Sequence, residues 1–236
     1  YSQPKDSLEA LMAQSSYKDI IKIQYGVDVY RFRYVTQDRG QKFDATALLG
    51  IPRMVEKKNF SASYILWLHG TSGFMDQCAP SRSQDGPLAV ALLASQGHIA
   101  IAPDYIGMNG MGEKATMHHP YLVGESTAIG SLDSLRAADK LVPEYSKVVS
   151  HNGNLVIWGG SQGGHATFFS LLYAPYYAPE YKITAGLALV APTDLVKQGE
   201  LAITTLGEAT VTLAAAFAAM SRWYGFGDKL NEVVTD

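Results

Sequence analysis

The chain has 236 residues, of which 47% are hydrophobic, 11% aromatic and 17% charged; that suffices for one sizeable α/β domain and is too apolar for a disordered or low-complexity segment. Lys and Arg number 19 against 22 Asp and Glu, for a net charge of -3, and no basic run is long enough to hold a phosphate backbone, so nucleic acid is not an expected partner. The single cysteine, Cys78, excludes an internal disulfide framework, a thiolate zinc cluster and a CxxC redox pair within these residues.

Tyr1 to Ala10 lack the basic-then-apolar layout of a signal peptide, which leaves a removed leader, and with it a secreted or periplasmic location, open. Tyr30 to Thr36 alternates aromatic or apolar with polar residues, Asp38-Arg39-Gly40 supplies turn chemistry, and Phe43 to Ile51 resumes in extended style. This predicts an N-terminal antiparallel hairpin. Four apolar runs follow, Tyr64 to Leu68, Ile99 to Ala102, Leu155 to Trp158 and Leu187 to Val190, each continuous rather than alternating, as in strands buried on both faces of a parallel sheet. Between them Pro87 to Gln96, Ser126 to Val142 and Gly163 to Ala174 read as helices, with Pro143 and Pro175 expected to stop the last two. Strand and helix in alternation predict a mostly parallel doubly wound α/β sheet.

After Asp194 the chain turns Ala- and Thr-rich up to Tyr224. Leu201 to Met220 is apolar but carries Thr204, Thr205, Gly207, Glu208, Thr210 and Thr212, too polar for a bilayer span, so no integral membrane segment is expected. The chain reaches Asp236 with no further strand pattern. The expected division is therefore 1–194 as the front part of a sheet domain and 195–236 as a helical cap, with closing strands missing.

The sharpest chemical signal is Trp158-Gly159-Gly160-Ser161-Gln162-Gly163-Gly164, a G-x-S-x-G string between a predicted buried strand and a predicted helix. A serine hydroxyl is a useful nucleophile only when it projects clear of the sheet, near a base and beside backbone donors, and a sharp strand-to-helix turn achieves this. Gly159 and Gly163 provide the clearance. The competing readings are an ordinary glycine-rich turn or a phosphate loop; the latter lacks the Gly-Lys-Ser/Thr ending. After the first buried strand comes Leu68-His69-Gly70-Thr71-Ser72-Gly73, whose Gly70 or Thr71 amide, with that of Gln162, is placed to meet a developing oxyanion.

These pieces, with Cys78-Ala79-Pro80-Ser81, Ala102-Pro103-Asp104-Tyr105-Ile106-Gly107, His119-Pro120-Tyr121 and Gly160-Ser161-Gln162-Gly163-Gly164-His165-Ala166 in that order, resemble the secretory-lipase-type α/β-hydrolases from about Phe43 to about Asp194. The resemblance implies an α/β-hydrolase fold, a carboxylic ester hydrolase with Ser161 as nucleophile, an oxyanion hole at the His69 to Thr71 loop plus Gln162, and a helical cap after the strand ending near Pro192. It implies no metal or organic cofactor and a small-molecule or lipid ester as substrate. In relatives with the Cys-Ala-Pro-Ser piece the cysteine can bridge to a later one, so Cys78 is either so paired or a small buried hydrophobe.

A triad on this fold runs Ser, then Asp or Glu, then His. The only histidine after Ser161 is His165, in the helix leading away from the turn and so expected to be structural. His118 and His119 lie in a loop that can approach the site; His69, His119 and Tyr105 are candidates for substrate contact. Asp194 is a weak candidate for the triad acid, and Asp104 is expected to cap or pair locally. The family places acid and histidine later, which implies a C-terminal remainder of the same polypeptide carrying both. The cap residues are expected to line an acyl pocket, with Trp223, Tyr224 and Phe226 as its rim. An acyltransferase or peptidase on the same fold, or a hydrolase-like binding protein without a base, are the rival readings.

Overall fold

The computed structural model describes residues 1–54, 58–112, 114–205 and 208–232; Gly207 and Asp236 lie outside the described residues. The chain opens with β1 (Ser2–Gln3) and α1 (Lys5–Ala13), followed by β2 (Gly26–Asp38) and β3 (Gln41–Arg53). The expected hairpin is present and longer than predicted, because both strands continue through residues that pair in unbroken register from Gly26 with Arg53 to Asp38 with Gln41. Its two-residue loop has Arg39 at φ 48° and Gly40 at φ 77°, the doubly left-handed geometry whose twist matches that of the strands. Helix α1 was not predicted, although Leu8 and Met12, one turn apart and both buried, carry the signal.

Next come β4 (Phe60–Leu68), α2 (Asp85–Ala94), β5 (Ile99–Pro103), α3 (Gly124–Tyr145), β6 (Val149–Gly160), α4 (Gln162–Tyr177) and β7 (Lys182–Leu189). Pro143 and Pro175 sit inside the last turns of α3 and α4 rather than ending them. Each helix runs only two residues further, as expected for a residue that removes a donor and crowds the preceding turn. The segment after Asp194 forms two helices, α5 (Leu195–Thr205) and α6 (Glu208–Tyr224), then a 3-10 turn at Gly227–Glu232.

One mixed sheet of seven strands has the order β1-β2-β3-β5-β4-β6-β7. Strands β5, β4, β6 and β7 are mutually parallel, and β1 to β3 join antiparallel at one side. On one face α1 and α2 press Leu8, Met12, Val90 and Ala94 onto Val27, Leu48 and Ala100. On the other, α3 and α4 cover Leu66, Ile101, Leu155 and Ile157 with Leu132, Leu135, Val142 and Ala166. All five residues of β5 are buried, as their unbroken apolar run requires. Strand β7 departs from that expectation. It lies at the sheet edge, and Leu187 is 52% and Leu189 43% exposed.

Because β4 leads outward to β5 while β6 returns on its other side, the connections diverge between β4 and β6. A crevice therefore opens beyond the carboxyl ends of those two strands, where this architecture places its ligands.

Candidate active site

Strand β6 delivers Ser161 into that crevice with φ 56° and ψ -122°, a sparsely populated conformation that costs on the order of 1–3 kcal/mol and persists only where the surroundings impose it. Its amide donates to Leu189 O at 2.9 Å and its carbonyl accepts from His165 N at 3.0 Å, so strand edge and helix start hold the bend from both sides. The turn closes only because of its glycines: a Cβ on Gly163 would stand 1.9 Å from Leu68 O, and one on Gly159 2.3 Å from the same oxygen. The Ser161 side chain is exposed and makes no hydrogen bond among the described residues.

The loop after β4 packs against this bend: a Cβ on Gly70 would stand 3.4 Å from Gly160 O and 3.9 Å from the Ser161 Cβ. Thr71 follows, its Oγ1 2.8 Å from the Tyr121 hydroxyl. Gln162 opens α4 and is buried; its main-chain amide is one of the unpaired donors at a helix start, where backbone N–H groups and the helix dipole favour negative charge.

His69, Tyr105 and His119, the candidates for substrate contact, do not line the cavity that Ser161 faces. They are 3%, 1% and 4% exposed and stack in series, His69 on Tyr105 at 4.2 Å and Tyr105 on His119 at 5.9 Å between centroids. The Tyr105 hydroxyl donates to His69 O at 2.9 Å. Burial pushes His69 and His119 down to about 4, so both imidazoles are neutral near pH 7. His165 is likewise buried beside Phe169 and pushed down to about 4, and it does not line the cavity that Ser161 faces, whereas His118 is exposed.

Asp194 is the N-cap of α5, accepting the Lys197 amide at 3.0 Å, and its side chain is exposed. It pairs with no histidine among the described residues. Asp104 is buried and accepts from the Ser81 amide, the Ser81 hydroxyl and the Thr46 hydroxyl at 2.8, 2.6 and 2.6 Å. Burial pushes its carboxyl up to about 6 against the effect of those bonds; it is a local clamp between β3 and the loops, as expected. Cys78 is half-buried, with its sulfur against the open face of Gly73.

Ser161, Thr71 and Tyr121 form the polar end of a cavity of about 410 Å³. Its remaining wall includes Leu122, Val190, Leu195, Ala202, Leu213, Phe217 and Met220 together with the polar Gln198 and Thr212, and among the described residues no ionisable side chain other than the Tyr121 phenol lines it. Helices α5 and α6 thus supply most of the apolar wall, as the sequence suggested. Trp223, Tyr224 and Phe226 do not form its rim. The Trp223 indole donates to Asp38 Oδ1 and Oδ2, both at 3.0 Å, while Arg39 lies 4.6 Å over its ring, so this end of α6 is anchored on the β2–β3 turn. The residues that sequence reasoning missed, Tyr121, Leu122 and Val190, come from loops; Leu122 and Val190 both have positive φ, which nothing in their residue types announces.

Residues 78–209 match the model of the secretory lipase family, more than half of the chain. The chain belongs to the secretory lipase family. No curated protein matches this family member closely. Among solved structures it is similar to the rice cell wall degrading esterase LipA from Xanthomonas oryzae, with 23% identity, 95% of this chain and 58% of that chain covered, and a TM-score of 0.79. It is also similar to Candida antarctica lipase A in its closed state, with 17% identity, 98% and 50% coverage, and a TM-score of 0.64. At these identities the likeness establishes the shared α/β fold. This secretory lipase family member spans about half to three-fifths of the length of those two structures. No helix among its described residues is long and apolar enough to cross a membrane.

Proposed function

We propose that this member of the secretory lipase family is a secreted serine carboxylic ester hydrolase working through an acyl-enzyme on Ser161. The observation that carries the proposal is the Ser161 side chain itself, without a hydrogen bond among the described residues, held in a strained bend and facing a cavity whose described lining is mostly apolar. Ser161 Oγ attacks the ester carbonyl, the Gln162 and Gly70 or Thr71 amides stabilise the oxyanion, the alcohol leaves, and water then releases the acid. Each such donor is worth roughly 3–4 kcal/mol in comparable enzymes. Residues 195–236 act as a cap over the acyl portion of the substrate, and 1–194 as the front part of the catalytic core.

The base and its acid are assigned to a C-terminal remainder of the same polypeptide. Two features support this: none of the described residues lining the cavity is a histidine, and β7 leaves Leu187 and Leu189 exposed at 52% and 43% on the sheet edge, where further strands would cover them. The absence of a base from the lining also supports a second reading, a binding protein for apolar ligands that turns over nothing.

Product analysis with the full-length protein separates these readings. Incubation with p-nitrophenyl and glyceryl esters is expected to release free carboxylic acid. Transfer of the acyl group to an added alcohol in preference to water would identify an acyltransferase, cleavage of amides alone a peptidase, and ester binding without any product the non-catalytic reading.

A further inference from the structure

The segment His119-Pro120-Tyr121 touches both halves of the proposed oxyanion hole. On one side His119 Nε2 lies 2.8 Å from Gln162 Nε2. On the other the Tyr121 hydroxyl lies 2.8 Å from Thr71 Oγ1. The segment between them is a tight turn, with the Tyr121 amide donating to His119 O at 2.8 Å across Pro120 and the Val123 amide to Pro120 O at 3.0 Å, so the two contacts are held at a fixed spacing.

The hydrogen-bond inventory defines the state of the imidazole. His119 Nδ1 is 2.9 Å from Ile106 O, a carbonyl that can only accept, so Nδ1 carries the proton. Nε2 then offers a lone pair, and the Gln162 amide nitrogen donates to it. Gln162 and His119 are 2% and 4% exposed, so water cannot readily replace either bond.

We infer that His119 and Tyr121 are positioning residues: together they form a brace that sets the distance between the Gln162 amide and the loop at Gly70 and Thr71. This rests on the ester hydrolase reading above. Neither side chain needs to touch the reacting atoms. The brace acts on Gln162 through its side chain while the catalytic contribution of Gln162 comes from its main chain, and it acts on Thr71 through the hydroxyl while the loop contributes an amide. Because the two tethers act in series, breaking one releases the spacing and breaking the second adds little.

The test uses the full-length protein and the variants Gln162→Met and Tyr121→Phe, which keep backbone and approximate shape. Each is expected to lower kcat for a p-nitrophenyl ester about tenfold with KM within about twofold, as misplaced donors weaken transition-state rather than ground-state binding. The double variant is expected to lie within about threefold of the worse single one. Unchanged kcat in either single variant, or losses that multiply in the double, would overturn the brace. Long-range 15N NMR of wild-type His119 supplies a readout independent of turnover and of how the variants fold: Nδ1 protonated and Nε2 bare supports the link to Gln162, and the opposite tautomer overturns it. Absence of ester turnover in the wild type would remove the hydrolase reading. Turnover that both variants leave untouched would remove the brace alone.

Discussion

Ser161→Ala in the full-length protein is expected to lower kcat/KM for any ester it hydrolyses by about 10⁴- to 10⁶-fold, the range seen when a serine nucleophile is removed. The loss should be one of chemistry and not of folding. Ser161 is exposed and its hydroxyl bonds to none of the described residues, while the bonds that maintain the bend, from its amide to Leu189 O and from His165 N to its carbonyl, belong to the backbone and survive the change. The thermal midpoint is therefore expected to stay where it is. Ester turnover measured beside a melting curve checks both halves, and turnover retained in a folded Ser161→Ala protein would remove Ser161 from the mechanism.

Acidification is expected to unfold the protein well before its carboxylates as a class are protonated. His69, His119 and His165 are buried and pushed down from 6.5 to about 4 by that burial. The unfolded chain takes up these three protons near pH 6.5 and the folded one does not until about pH 4, so stability falls as pH drops through that window. Each histidine costs about 3 kcal/mol across it. Asp104 works the other way: its folded carboxyl is pushed up to about 6 from 3.8, so the native state binds its proton first and gains about 3 kcal/mol over the same descent. Three histidines against one aspartate leave a net loss of stability on acidification, and His98 and His151, also lowered by burial, add to it in the same direction. Urea midpoints between pH 7 and pH 4.5 are expected to fall steadily, with a smaller slope in a folded His165→Phe variant. A midpoint that rises on acidification would show that these imidazoles are not buried in the neutral form.

The parts of this molecule that sequence made legible are those in which local pattern and long-range structure agree. Continuous apolar runs marked β4, β5 and β6 because a parallel strand covered on both faces has no polar side to display. The string around Ser161 could be read because its glycines answer to backbone atoms a few residues away and to Leu68 at the end of the neighbouring strand. Where the partner lies far along the chain, residue type misleads. Trp223 looked like a pocket rim, yet its indole is bonded to Asp38, 185 positions earlier. His69, Tyr105 and His119 had the chemistry of substrate contacts, and their stacking on one another withdraws them from the cavity. Strand β7 is as apolar as β6, and only the sheet order reveals that one of its sides is uncovered.

The most direct test of the account is covalent capture of the nucleophile. Full-length protein treated with a fluorophosphonate and digested is expected to carry one phosphonyl group, on the peptide containing Ser161, with ester turnover lost in proportion to labelling and no label in Ser161→Ala. A phosphonyl group on a different serine, or an ester-hydrolysing protein that takes up no label, would contradict it.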